Sequence, residues 1–238
     1  MLSLILSACP KRQEINRPQT ASQAFAQGLE YKEAKRYPQA EAAFTYCIFN
    51  FPGSTEAADA QFHLADCYFQ TRDYSQAQTE FDFYLKNFPN GRYQEEAAFK
   101  LALSLLRSAP SPNRDQTALL KAKELFIEFL ERYPQSQFRA QVEEALRTIG
   151  QRLAHKEFEA AQLYFKAGEY KSALIYYEFI KENYPDIHWS GTDRYRLAVC
   201  YFNTGEAEKA RSLLEEIVAS DSSPKLILAA ERLLRRLK

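Results

Sequence analysis

"YSQAQTEFDFYLKNFP", residues 74–89, decides the fold, because the chain writes its pattern several times. "YPQAEAAFTYCIFNFP" (37–52), "LLKAKELFIEFLERYP" (119–134) and "YKSALIYYEFIKENYP" (170–185) superpose on it without a gap. Each holds an alanine, an aromatic four residues later, and a proline eight residues after that. "AEKARSLLEEIVASDS" (207–222) is a weaker fifth copy that keeps Ala210 and Leu214 but lacks the proline. A spacing of four places two side chains on the same helix face. A proline ends such a helix, since it has no N–H to donate and its ring clashes with the preceding turn.

Upstream of each block a small residue is followed three positions on by a large one: Gly28/Tyr31, Ala65/Tyr68, Ala102/Leu105, Ala161/Tyr164 and Ala198/Tyr201. The small residue lets two helices approach, and the large one fills the space opened beside it. Together the two halves make the tetratricopeptide (TPR) pattern. The fold expected is therefore all-α: a TPR superhelix of five helix pairs plus a C-terminal capping helix. Seven glycines against 15 tyrosines and 17 phenylalanines fit long helices packed through rings.

Spacing refines this reading. Pro52 to Pro89 is 37 residues, close to the ~34 of a standard repeat. Pro89 to Pro134 is 45, and the excess falls in "SAPSPNRD" (108–115), whose prolines and serines read as a loop. Pro134 to Pro185 is 51 without an intervening proline. Val142, Leu146, Ile149 and Leu153 recur there at three and four, which predicts one long helix over about 137–166. Gly150 costs it roughly 1 kcal/mol relative to alanine and allows a bend.

Charge and composition exclude several classes. Lys plus Arg and Asp plus Glu each number 31, so no net field draws nucleic acid to the molecule. No apolar run reaches the ~18 residues of a spanning helix. His63, His155 and His188 lie in separate segments and read as solvated or capping side chains. Cys47, Cys67 and Cys200 fall on apolar helix positions, where cysteine acts as a small hydrophobe; a bridge between Cys47 and Cys67 stays open. No nucleophile motif, metal-ligand spacing or phosphate loop occurs, so no catalytic residue, metal or cofactor is expected.

Binding is then the function to locate. In such repeats the first helices line the inner face. The positions that fall there include Phe62, Asp66 and Phe69, then Phe99, Leu103 and Leu106, then Phe158 and Phe165, then Tyr195 and Phe202. With Arg107 beside it, the set from Phe62 to Leu106 reads as an aromatic ladder for an extended peptide. The competing reading is that the rings pack against the next repeat. Lys32 reads as an ordinary surface residue.

Nearly the whole chain, with "LSAC", the insertion "NRDQTA" and "GQRLAHKEFEAAQLYFKAGEYKSALIYYEFIKENYPD" and most specifically from Arg114 to Asp186, resembles the BamD family of outer-membrane-assembly lipoproteins. The resemblance implies a scaffold on the periplasmic face of the outer membrane. Its implied partners are the POTRA region of BamA, other assembly lipoproteins and unfolded outer-membrane β-barrel proteins, whose C-terminal signal would occupy the ladder. Residues 6–9 match a lipobox, with Cys9 as the acylated residue; the short apolar run "LSLIL" has no basic segment before it, so an ordinary cysteine is the competing reading. The organisation expected is a signal remnant (1–8), a lipidated tether (9–20), a substrate-binding half (21–136) and a BamA-binding half (137–238). Tyr176 stands near the place where the family often has an arginine toward BamA, and Tyr195 and Phe202 complete the implied partner site. The last segment, "PKLILAAERLLRRLK", reads as a cap on the final repeat rather than a lipid contact. A CpoB-like scaffold of envelope maintenance or cell division, and an accessory subunit of an envelope-processing enzyme, are the alternatives.

Overall fold

The computed structural model describes residues 18–110, 116–220 and 223–237. All regular structure among them is helical: α1 (Ala21–Glu33), α2 (Tyr37–Asn50), α3 (Thr55–Gln70), α4 (Tyr74–Asn87), α5 (Gln94–Ser108), α6 (Thr117–Arg132), α7 (Arg139–Lys166), α8 (Tyr170–Asn183), α9 (Gly191–Thr204), α10 (Ala207–Ser220) and α11 (Pro224–Arg236). These are five antiparallel pairs and a final single helix, as the repeats predict.

The repeated residues act alike in each copy. Phe51, Phe88, Tyr133 and Tyr184 end α2, α4, α6 and α8 with nearly one conformation, φ −130, −124, −126 and −135° with ψ 48, 61, 65 and 60°. Each precedes the block's proline, and a residue before proline is pushed out of the helical region. Ser54 and Ser190 then start α3 and α9 by accepting from the N–H of Ala57 and Asp193. Within pairs, the turn needs one left-handed residue. Gly168 (φ 79°) and Gly205 (φ 90°) supply it freely, whereas Lys35 (φ 56°) and Arg72 (φ 65°) adopt it against their own preference.

The helix-contact alanines Ala40, Ala65, Ala77, Ala102, Ala122, Ala161, Ala173, Ala198 and Ala210 are all fully buried. At the first pair Gly28 takes this role: the Phe44 ring occupies the space a Cβ would need.

By packing, the described residues divide into two compact units, one ending at Ala97 and the other beginning at Ala98. In the first, Ala24, Phe44, Cys47, Leu64 and Cys67 form one core. The second unit is organised along α7, a single 28-residue helix. The first part of α7 supplies Val142, Ile149 and Leu153 to a core shared with α5 and α6 side chains. Its second part supplies Ala154, Phe158 and Ala161 to a core shared with α8 and α9. Gly150 has its own reason to lack a side chain, because a Cβ there would lie 3.2 Å from Ile187 Cγ2. Arg152 ties α7 to the end of α5 by donating to the carbonyls of Leu106 (3.2 Å), in the last turn of that helix, and Ala109 (2.9 Å), just beyond it.

Candidate partner-binding surface

The aromatic ladder is not a free surface. Phe62, Phe69 and Phe99 are 2%, 8% and 7% exposed, and Leu106 is equally buried. Phe62 stacks on Tyr93, with centroids 4.2 Å apart, and meets Phe81 and Tyr84. Phe69 packs on Tyr74 and Phe81. Phe99 stacks on Phe138 at 4.6 Å and touches Phe126 and Phe129. Leu103 is half-buried against the same core, and Arg107 is exposed in the last turn of α5. The open groove expected from these rings is corrected: the aromatic that opens the following repeat covers Phe62 and Phe99, and the second helix of its own repeat covers Phe69. The signal was in the sequence, since Tyr93, Phe138 and Trp189 each stand four residues after a closing proline. Phe158 repeats the arrangement, its ring edge-on to Trp189 at 5.0 Å.

Asp66 is buried too, at 4% exposure, and is engaged within the repeat rather than on an open surface. Lys32 Nζ lies 2.5 Å from its carboxylate and also donates to His63 Nδ1 at 2.9 Å. Lys32 is therefore half-buried and paired with a buried carboxylate, contrary to its reading as an ordinary surface residue. His63 is likewise neither solvated nor a cap: its half-buried ring sits among Phe25, Phe44, Phe62 and Tyr93 at 5.2 to 5.6 Å. His155 and His188 are exposed.

The three partner residues fall at different places in the second unit. Tyr176 is half-buried and stacks on Tyr164 at 5.5 Å, and the neighbouring phenol raises its pKa. Tyr195 packs on the core between α9 and α11. Phe202 belongs to the same core and is covered by the Arg236 guanidinium, 4.9 Å from its ring centre. Tyr195 and Phe202 thus join the cap, and only Tyr176 borders an exposed apolar face.

That face is on α8. Its central sequence, Leu174-Ile175-Tyr176-Tyr177-Glu178-Phe179-Ile180, is apolar almost all round, and a helix packed in one layer buries only one side. Ala173, Tyr177 and Ile180 take the buried side, which leaves Ile175 70% and Phe179 44% exposed. The two lie one turn apart in a shallow cavity of 630 Å³ rimmed by Lys171, Glu178, Glu182, Thr204 and Glu206. A second groove, of 690 Å³, runs between the end of α8 and α10, floored by Ile187, Trp189, Leu197 and Leu213.

A polar network joins the two. Tyr201 donates its hydroxyl to Glu178, and Lys209 pairs with Glu206 at 2.7 Å and lies 3.8 Å from Glu178. Burial, then the Glu178 carboxylate, push the Tyr201 phenol well above its ordinary pKa, so it stays a donor. Glu206 holds Lys209 charged by raising its pKa. An apolar pair ringed by fixed charges is the chemistry of a protein-docking surface. Sequence reading missed Ile175 and Phe179 because both sit in a repeat block whose apolar residues otherwise go inward.

Cys47, Cys67 and Cys200 are buried free thiols. Burial raises them to about 11, 12 and 12 respectively, the reverse of what a nucleophile or metal ligand requires. Among the described residues no group of side chains is placed to hold a metal, and no helix is long and apolar enough to cross a membrane. Cys9 lies outside the described residues.

The paired helices define a tetratricopeptide protein. A complex of the TPR2AB domain of yeast Sti1 aligns with a TM-score of 0.53 at 12% identity, over 84% of this chain and 77% of that one. A TPR repeats protein from Bacteroides fragilis aligns at 0.48 with 14% identity, over 93% and 100%. Residues 17–217 match the family described as YfiO, outer membrane lipoprotein. The chain belongs to that family. A curated relative, "Outer membrane protein assembly factor BamD" of Rickettsia prowazekii, is 22% identical over 218 residues, covering 90% of this chain and 87% of that protein.

Proposed function

We propose that this chain is a non-catalytic scaffold for the assembly of β-barrel proteins into the outer membrane, held at the periplasmic face through an acylated Cys9. Membership of the outer-membrane-lipoprotein family over residues 17–217 supports it, with the assembly role in the name of the Rickettsia relative. Within this reading residues 137–238 hold the POTRA region of BamA, and residues 21–136 receive unfolded barrel segments.

The observation that carries the second-half assignment is the exposed Ile175 and Phe179 pair with its rim of Lys171, Glu178 and Glu182. Each well-buried side chain contributes ~1.5–3 kcal/mol, so the pair anchors an interface that the polar rim orients. In the first half the exposed rings are Phe49 (77%) and Phe83 (46%), and these replace the buried Phe62, Phe69 and Phe99 as the surface offered to substrate.

The test is affinity purification of the tagged chain from crosslinked native membranes. BamA, assembly lipoproteins and barrel precursors are expected together. Recovery of cell-division or peptidoglycan-processing proteins without BamA would overturn the reading.

A further inference from the structure

The final helix uses one side to cap the last repeat. Leu226, Ala230, Leu233 and Leu237 pack against Ala198, Leu214 and Ile217. Arg236 covers Phe202, and Arg211 donates to the Leu237 carbonyl at 2.9 Å, which closes the C-terminal end. The helix is thereby held with its opposite side turned to solvent.

That opposite side has its own pattern. At about 100° per residue, offsets of three, seven and ten from Lys225 bring Leu228, Arg232 and Arg235 into an arc of about 80°. All four are exposed, Leu228 at 45%. Elsewhere in the second unit Arg194, Arg196, Lys209 and Arg211 each face a carboxylate. Among the described residues Lys225, Arg232 and Arg235 face none, and the one acid beside them is Glu231 at the edge of the arc.

We propose that this outer face of α11 is a docking surface for anionic phospholipid headgroups. A straight row of three cations about 15 Å long around one leucine suits a flat, negatively charged surface. Arg232 and Arg235 stand on the convex side of the helix, and Lys225, at the other end of the row, borders a cavity of 450 Å³ with Gly191, Tyr195 and Leu226. Each cation near such a surface strengthens binding roughly fivefold, so the row is worth about a hundredfold. Alone that is weak. It orients a molecule already held at the membrane, and only in this respect does the inference rest on the anchored reading above.

The experiment uses the full chain carrying Cys9→Ser, purified without acyl groups, and sedimentable vesicles. At low salt it should partition at least tenfold more strongly onto phosphatidylglycerol/phosphatidylethanolamine vesicles than onto phosphatidylcholine vesicles, and high salt should abolish the difference. The variant Lys225→Glu, Arg232→Glu, Arg235→Glu should lose at least tenfold. A control with the same charge change elsewhere, Lys121→Glu, Lys156→Glu, Lys166→Glu, should retain binding. If the charge reversal unfolds the cap, Arg232→Gln with Arg235→Gln should still lose several-fold. Equal partition onto both vesicle types, or equal loss in the control, overturns the proposal, whichever protein is later found against α11. No BamA is present, so this result is independent of the scaffold reading.

Discussion

The rings of Phe62 and Tyr93 lie face to face, centroids 4.2 Å apart and planes 10° from parallel. Phe99 and Phe138 repeat the relation one repeat later at 4.6 Å and 6°. In both, a ring of one first helix is covered by the aromatic that precedes or starts the next. Phe62→Ala should therefore cost about 3–5 kcal/mol in chemical denaturation, while Phe49→Ala, at a site 77% exposed, should stay within about 0.5 kcal/mol. Equal stabilities for the two variants would return Phe62 to the surface.

Lys32→Ala should be costly as well. It leaves the Asp66 carboxylate, 5% exposed, without its ammonium partner 2.5 Å away. Removing one member of a buried pair costs about 3 kcal/mol, at the low end here because Lys32 is still 21% exposed. The double change Lys32→Met, Asp66→Asn should regain part of the loss in urea denaturation. A single variant as stable as the parent would mean the pair contributes nothing.

Arg72→Gly should raise stability by up to about 1 kcal/mol. Arg72 holds φ 65° at the turn where Gly168 and Gly205 stand in later repeats. Relief of about 1–2 kcal/mol of left-handed strain exceeds the roughly 0.5–1 kcal/mol that glycine adds to the entropy cost of folding. A fall in melting temperature would show that the Arg72 side chain contributes more than the strain.

The thiols give a pH test. Burial raises Cys47 from 9.0 to about 11 and Cys67 and Cys200 to about 12. At pH 8 their thiolate fraction is about a hundredfold or more below that of a free cysteine. With Cys9→Ser, labelling by a thiol-specific disulfide reagent should require unfolding. A folded-state pKa above the unfolded value means stability is intact below pH 9 and declines as pH rises toward 11 to 12. Rapid labelling of the folded chain at pH 8 would contradict the burial.

The helices, their proline stops and the five pairs were legible in the sequence because each depends on local spacing: Ala77 four before Phe81, Phe88 before Pro89. The long α7 was legible for the same reason. The ladder was misread because the inner-face rule assigns a side without saying what covers it; Tyr93 and Phe138 come from 31 and 39 residues further along. The partner of Lys32 was equally hidden, since Asp66 is 34 positions away and both look solvated when read alone. Ile175 and Phe179 escaped notice because an apolar residue in a repeat block reads as core, and only the packing of Tyr177 and Ile180 shows that these two are left exposed on the opposite side of α8.

The scaffold reading stands or falls on that face. The measurement is BamA recovered with the tagged chain from native membranes, wild type against Ile175→Asp with Phe179→Asp. Both positions are exposed, so the variant should keep its helical spectrum and melting temperature. The account predicts at least a tenfold loss of BamA with membrane anchoring unchanged. Undiminished BamA recovery by the folded double variant would contradict it.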